Sequence, residues 1–154
     1  MGLMNYKIAI VYTSVTGNTE EVTKHLYSLF LRKGITVDCY TILSFPLERL
    51  QHYDALVIGT YTWGNGNIPK EMLPLYRAIE TNNSKGLVTG VYGTGDRFYP
   101  HFCGAVDEFR DMLFVQTTLA VTIRIELAPQ QKDFTRLQAF TDTLLKRVMT
   151  QKTA

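Results

Sequence analysis

The sequence predicts an α/β fold built on one parallel sheet with helices on both faces. Two observations carry this. Five short apolar or β-branched runs alternate with stretches of helical periodicity over 154 residues. The turn-rich stretches TSVTGNT, YTWGNGN and GTGDRFYPHFCG follow the first, third and fourth of those runs. In such sheets ligands bind outside the carboxyl ends of the strands, so all three stretches are expected at one edge.

Residues 6–13 (YKIAIVYT) are β-branched and aromatic, as a buried strand requires. Asn18 or Thr19 is placed to cap the helix that follows. Glu20 and Glu21 fall in its first turn, Val22, Leu26, Leu29 and Phe30 form its apolar face, and Lys33-Gly34 ends it. Residues 35–42 (ITVDCYTI) predict a second strand, and residues 45–50 a short irregular or helical link. Residues 54–60 (DALVIGT) are almost wholly apolar, which suits a central strand covered on both faces. Pro69 opens a helix to about residue 80, with Met72, Leu73, Tyr76 and Ile79 on one face. Residues 82–86 (NNSKG) read as a loop, and residues 87–92 as a fourth strand ending in GTGD. A helix is predicted over about 105–112, a long or bent fifth strand within 114–127, and a break at Ala128-Pro129. A last helix over 131–149 carries an apolar stripe of Phe134, Leu137, Phe140, Leu144, Leu145 and Val148. No internal repeat or linker interrupts this, and one domain over 1–154 is expected.

Composition excludes several classes. Apolar residues make up 45% of the chain, against disorder, and no apolar run approaches a membrane span. Net charge is +2 with basic and acidic residues interspersed, so neither nucleic acid nor a membrane is an expected partner. Cys39 and Cys103 lie far apart with no CxxC, and His25, His52 and His101 are scattered without metal-ligand spacing. Residues 1–7 (MGLMNYK) lead into the first strand without a secretory pattern and lack the Ser or Thr of a myristoylation signal. Met1 and Met4 both serve as possible starts, and a reduced cytoplasmic protein is expected.

The first turn-rich stretch contains no lysine or arginine. A Walker loop needs GxxxxGK[ST], and a dinucleotide fingerprint needs GxGxxG, of which only Gly17 is present. A phosphoaspartate site needs a carboxylate where the third strand ends in Gly59-Thr60. What remains is a cradle of neutral donors. Ser14, Thr16 and Thr19 offer hydroxyls, Asn18 an amide, and the helix start its backbone N–H groups. Such a cradle suits a single terminal phosphomonoester. The same residue types also serve as ordinary helix caps, so the loop alone leaves both readings open. The other two loops beside it favour phosphate.

TSVTGNTEE resembles the phosphate loop of flavodoxins, GTYTWGNG their second flavin loop, and GTGDRFYPHFCGAVDEF their third. The likeness runs from about residue 7 to 148, and the fifth-strand region has no long insertion, as in the short-chain members. The resemblance implies a flavodoxin-like three-layer sandwich with a five-stranded sheet in the order 2-1-3-4-5, and FMN as cofactor. It implies phosphate contacts from Thr13, Ser14, Val15, Thr16, Gly17, Asn18 and Thr19. It implies ring contacts from Thr60, Tyr61, Thr62, Trp63, Gly64, Asn65 and Gly66, and from Gly93, Thr94, Gly95, Asp96, Tyr99, His101, Phe102 and Cys103.

In the resembled family the tryptophan of TWG covers the inner face of the ring and the third-loop tyrosine the outer face, positions that Trp63 and Tyr99 match. The Gly64–Asn65 peptide matches one that turns over when the flavin gains an electron, so that its carbonyl accepts from the flavin N5–H; a plain Gly-Asn-Gly turn is the alternative. Asp96 and Cys103 match positions whose backbone N–H groups meet the flavin O2, and the His101 carbonyl one that meets N3–H. Those roles make Cys103 a buried small hydrophobe rather than a nucleophile. Tyr61 is ambiguous, and Phe98 and Phe102 read as packing residues.

The chain departs from the family in charge. Asn65 stands where aspartate is common, residues 61–69 contain no acid and precede Lys70, and Arg97 follows Asp96. A less negative second one-electron potential and a docking face that is not the usual acidic one are therefore expected. The function implied is one-electron transfer of low-potential electrons between redox proteins by a monomeric carrier with no catalytic residue of its own. A flavodoxin/ferredoxin reductase is the expected donor, and the acceptor is not named by the sequence. The alternatives are an enzyme activator of the ribonucleotide reductase type, an NAD(P)H:quinone or FMN reductase, and a nucleotide-binding module without redox work.

Overall fold

In the computed structural model, residues 6–82 and 84–153 are described. The readings that fall on residues 1–5 and on Asn83 lie outside them. The elements are β1 (Ile8–Tyr12), α1 (Asn18–Arg32), β2 (Asp38–Thr41), β3 (Ala55–Tyr61), α2 (Leu73–Thr81), β4 (Val88–Gly95), α3 (Gly104–Gln116), β5 (Thr118–Glu126) and α4 (Gln131–Thr153). The five strands form one parallel sheet in the order β2-β1-β3-β4-β5. This is the fold class and strand order expected from the sequence.

Two apolar layers sandwich the sheet. On one face Leu56, Ile58 and Val91 pack with Met72, Leu75, Ile79 and Phe109 from the α2 and α3 side. On the other, Ile8, Ile10, Val57 and Tyr92 pack with Leu26, Phe30, Phe140 and Leu144 from α1 and α4. Residues 55–60 of β3 are buried throughout, which explains the unbroken apolar run there. From β1 the chain steps outward to β2 and then returns to the other flank of β1 as β3. The crevice between the carboxyl ends of β1 and β3 is therefore the topological switch point. Register brings the loop origins level there, with Tyr12 beside Gly59 and Tyr61 beside Thr94.

Several elements differ from the sequence expectation. β2 is only four residues long, because the chain turns into a 3-10 turn at Ile42–Ser44. α2 starts at Leu73 after a separate 3-10 turn over Lys70–Met72, and it buries Leu75 as well as Ile79. α3 continues to Gln116, so Phe114 and Val115 lie on its last turn and not in the fifth strand. Thr117 ends that helix, since its hydroxyl and its N–H both donate to the Leu113 carbonyl while its backbone turns extended. Phe134 is not in the apolar stripe of α4: it is 37% exposed and stacks on His25 at 4.5 Å. Among the described residues no helix is long and apolar enough to cross a membrane.

Candidate functional site

The first loop leaves β1 at Thr13 and enters α1 at Asn18. Neither Asn18 nor Thr19 caps the helix. The N-cap is Gly17, at φ 97°, whose carbonyl receives the Glu21 N–H at 3.0 Å. Ser14 Oγ reaches across the turn to accept the Glu20 N–H at 3.2 Å. The backbone N–H groups of residues 15–19 have no acceptor within the described protein. The open end of a helix dipole thus faces outward without a cation beside it.

Two hydroxyls of this loop are engaged elsewhere. Thr19 is 1% exposed, and its Oγ1 bonds Thr94 Oγ1 at 2.8 Å, tying α1 to β4. Thr23 extends the network, donating to the Thr19 carbonyl and meeting the Tyr92 hydroxyl. Replacing Thr94 by valine strands the Thr19 hydroxyl in the core. The apoprotein is expected to lose about 1–2 kcal/mol, read as a lower urea midpoint at unchanged slope.

Thr13 Oγ1 donates to Glu71 Oε2 at 2.7 Å, and the Tyr61 hydroxyl donates to the same oxygen at 2.7 Å. Burial works against the charge on Glu71, but these two bonds together with a backbone hydrogen bond at Glu71 outweigh it and hold the carboxyl below its ordinary range. Tyr61 is pushed up to about 12 by burial and by its bond to Glu71. Sequence reasoning missed Glu71 because its partner Thr13 lies 58 residues away and no motif links them.

The second loop is a tight reversal. The Trp63 N–H donates to the Asn67 carbonyl at 2.8 Å, and the Asn67 N–H returns to the Trp63 carbonyl at 2.7 Å. Gly64 at φ 55° and Gly66 at φ 98° make the turn. Trp63 is left 63% exposed, and Gly64 and Asn65 are exposed with it. Thr60, by contrast, is fully buried, its hydroxyl donating to the Tyr61 carbonyl at 2.7 Å.

In the third loop Asp96 acts as a turn former. Its Oδ1 accepts the Phe98 N–H at 2.9 Å and its carbonyl the Tyr99 N–H at 3.1 Å. His101 and Cys103 hold left-handed backbones at φ 59° and 53°. The N–H groups of Asp96 and Cys103 have no acceptor within the described protein, whereas the His101 carbonyl already accepts the Gly104 N–H at 2.9 Å. Tyr99 is 62% exposed. Phe98 is 88% exposed and is not a packing residue, while Phe102 packs partly against the core under the Arg97 guanidinium, 4.3 Å from its ring centre. Burial pushes the Cys103 thiol up to about 12, which leaves almost no thiolate near neutrality.

The second and third loops meet backbone to backbone. A Cβ on Gly104 would lie 2.6 Å from the Gly66 carbonyl oxygen and 2.7 Å from its Cα. The Ala105 N–H, at the start of α3, donates to Thr62 Oγ1 at 3.3 Å. Between these loops lies a cavity of about 360 Å³ lined by Thr62, Gly64, Gly95, Asp96, Tyr99, Pro100, His101, Phe102 and Cys103. No first-loop residue lines it; that loop is tied in through Thr13 to Glu71 and through Thr19 to Thr94, next to the lining residue Gly95. Gly93 and Thr94 are buried, and Val15, Thr16 and Asn65 are exposed. Arg97 is not an unopposed charge, because its Nε lies 3.5 Å from Glu126 Oε1. Arg110 and Arg124 likewise face Asp107 at 3.2 and 3.7 Å. Among the described residues no group of His, Cys, Asp and Glu is arranged to hold a metal ion.

The flavodoxin family model matches residues 10–136. The chain is 36% identical to "Probable flavodoxin 1" of Bacillus subtilis (strain 168) over 138 residues, 87% of each protein. It superposes on a flavodoxin structure from Streptococcus pneumonia TIGR4 with a TM-score of 0.85 at 30% identity, covering 91% of this chain and 98% of that one. A short-chain flavodoxin associated with a non-canonical PDU bacterial microcompartment gives a TM-score of 0.87 at 31% identity, covering 93% and 99%.

Proposed function

The chain belongs to the flavodoxin family, and on that footing we propose that it carries low-potential electrons one at a time, on bound FMN, between redox proteins of the cytoplasm. Flavodoxins are electron carriers rather than enzymes. The observation that carries the reading here is the pairing of two half-sites at the switch point. One is a row of N–H donors at residues 15–19 without acceptors or a cation, which fits a phosphate monoester. The other is a cavity lined by exposed Tyr99 and by Asp96 and Cys103, whose N–H groups are free, with exposed Trp63 beside its lining residues Thr62 and Gly64 on the second loop, which fits a flat heteroaromatic ring with polar edges.

On this reading the N–H groups of residues 15–19, with the Ser14 and Thr16 hydroxyls and the Asn18 amide, hold the phosphate. Trp63 and Tyr99 cover the ring and keep water from it, and Asp96 and Cys103 donate to its carbonyl edge. FMN supplies the redox chemistry when bound, and the protein supplies orientation and electrostatics. Slow dithionite reduction of the purified holoprotein, followed by absorption, tests the assignment. Two resolved one-electron steps with no turnover of NAD(P)H by the protein alone are expected. Direct NAD(P)H oxidation favours a reductase instead, and a colourless protein indifferent to FMN removes the reading altogether.

The surface near the third loop is close to electrically neutral. Arg97, Arg110 and Arg124 each face a carboxylate, and Lys70 is exposed at the end of the second loop. Long-range steering by such a face is weak. The rate of reduction by a partner reductase is therefore expected to be nearly flat with ionic strength. A steep fall with added salt overturns that expectation.

A further inference from the structure

Glu71 occupies a position that the cofactor contacts do not account for. It sits on the 3-10 turn Lys70–Met72, whose place is fixed by fully buried Met72 and by the Met72 N–H bond to the Pro69 carbonyl at 2.9 Å. From there a single oxygen, Oε2, receives the Thr13 hydroxyl and the Tyr61 hydroxyl, each at 2.7 Å. Thr13 is the first residue after β1 and Tyr61 the last residue of β3. One carboxylate therefore joins the two strand ends that flank the switch point. The Thr13 N–H bond to the Gly59 carbonyl at 3.1 Å and the pairing of Tyr12 with Gly59 tie the strands at the same level.

We propose that Glu71 is a positioning residue that fixes the distance between the phosphate loop and the ring loops, and so sets the preference for FMN over riboflavin. The proposal rests on the reading of this site as an FMN site. Phosphate and ring are covalently linked, so a ligand uses both half-sites only when their spacing matches its own length. Hydrogen bonds to phosphate weaken steeply once donor and acceptor part beyond the usual range. A small shift of the first loop thus costs FMN its phosphate contacts. Riboflavin has no phosphate and senses the ring loops alone.

The test is the ratio of riboflavin to FMN dissociation constants, titrated on the apoprotein by quenching of the single tryptophan. In Glu71→Ala the ratio is expected to fall by about 10-fold, through weaker FMN binding at unchanged riboflavin binding. Glu71→Gln keeps an oxygen that accepts both hydroxyls and is expected to restore the wild-type ratio. Tyr61→Phe removes one arm and is expected to fall between, which keeps the test available should the alanine variant not fold. An unchanged ratio in Glu71→Ala and Tyr61→Phe overturns the proposal. So does tighter FMN binding in both Glu71→Gln and Glu71→Ala, which would mark Glu71 as a charge repelling the phosphate rather than a clamp. A wild-type chain that binds neither flavin overturns the site reading and the proposal with it, an outcome recognisable before any variant is made.

Discussion

Replacing Gly104 by alanine is expected to weaken FMN binding by about 100-fold while the sheet stays folded. The added methyl group would meet the Gly66 carbonyl oxygen at 2.6 Å and the Gly66 Cα at 2.7 Å, which is backbone and not the movable end of a side chain. The second and third loops must then part. Overpacking of this kind costs about 1–3 kcal/mol, and the displaced groups are those that line the cavity: Gly64 on one side, and Asp96, His101 and Cys103 on the other. Trp63 and Tyr99 sit on these two loops, so their separation changes too. Cys103 and Ala105, on either side of Gly104, belong to the apolar layer on the α2 and α3 side, so the urea midpoint of the apoprotein is also expected to fall, by no more than that overpacking cost. Trp63 is the only tryptophan and reports binding by its fluorescence. An unchanged FMN affinity in Gly104→Ala would show that the loop contact does not shape the site.

That contact was not legible in the sequence. GNGN and FCGA read as turn chemistry, but a motif does not say that two glycines 38 positions apart (104 − 66) press against each other. What the sequence did reveal follows from one-dimensional pattern. β3 announces itself because burial on both faces forces an unbroken apolar run, and α1 because Val22, Leu26, Leu29 and Phe30 repeat at its pitch. The misreadings arise where local pattern is ambiguous. Phe114 and Val115 have strand-like side chains, yet they belong to the last turn of α3, where nothing covers them. Phe134 keeps the period of α4 but lies near its start, where the partner is the half-buried ring of His25. Thr19 has a loop hydroxyl's chemistry and a core hydroxyl's position, which only the nearness of Thr94 decides. The motifs locate the loops; long-range packing decides which atoms of each loop remain free.

The charge of the site shows the same division and leads to the second large effect. Sequence reading counts Asn65 and Arg97 as departures from an acidic flavin site, and expects a less negative second one-electron potential. The structure keeps Asn65 exposed but sets Arg97 against Glu126 at 3.5 Å, so part of its charge is already offset. In the double variant Asn65→Asp, Arg97→Glu, the change is therefore larger than a count of the substituted positions suggests. Asn65→Asp adds one negative charge, Arg97→Glu replaces a positive charge by a negative one, and Glu126 loses its partner. In partly exposed surroundings one unit charge within about a Debye length contributes on the order of 1 kcal/mol, equivalent to about 40 mV for one electron. Three units of charge then lower the second potential by about 100 mV, with attenuation at high salt because Arg97 is 65% exposed. The first potential should move less, since an electron taken up together with a proton adds no net charge to the ring. Arg97→Gln alone separates the contributions, because it removes one positive charge and releases Glu126 without adding a carboxylate at 97. Spectroelectrochemical titration of the three proteins reads both steps. A second potential that is the same in all of them would mean that these loop charges do not reach the ring, and that its potential is set by the neutral contacts of the cavity instead.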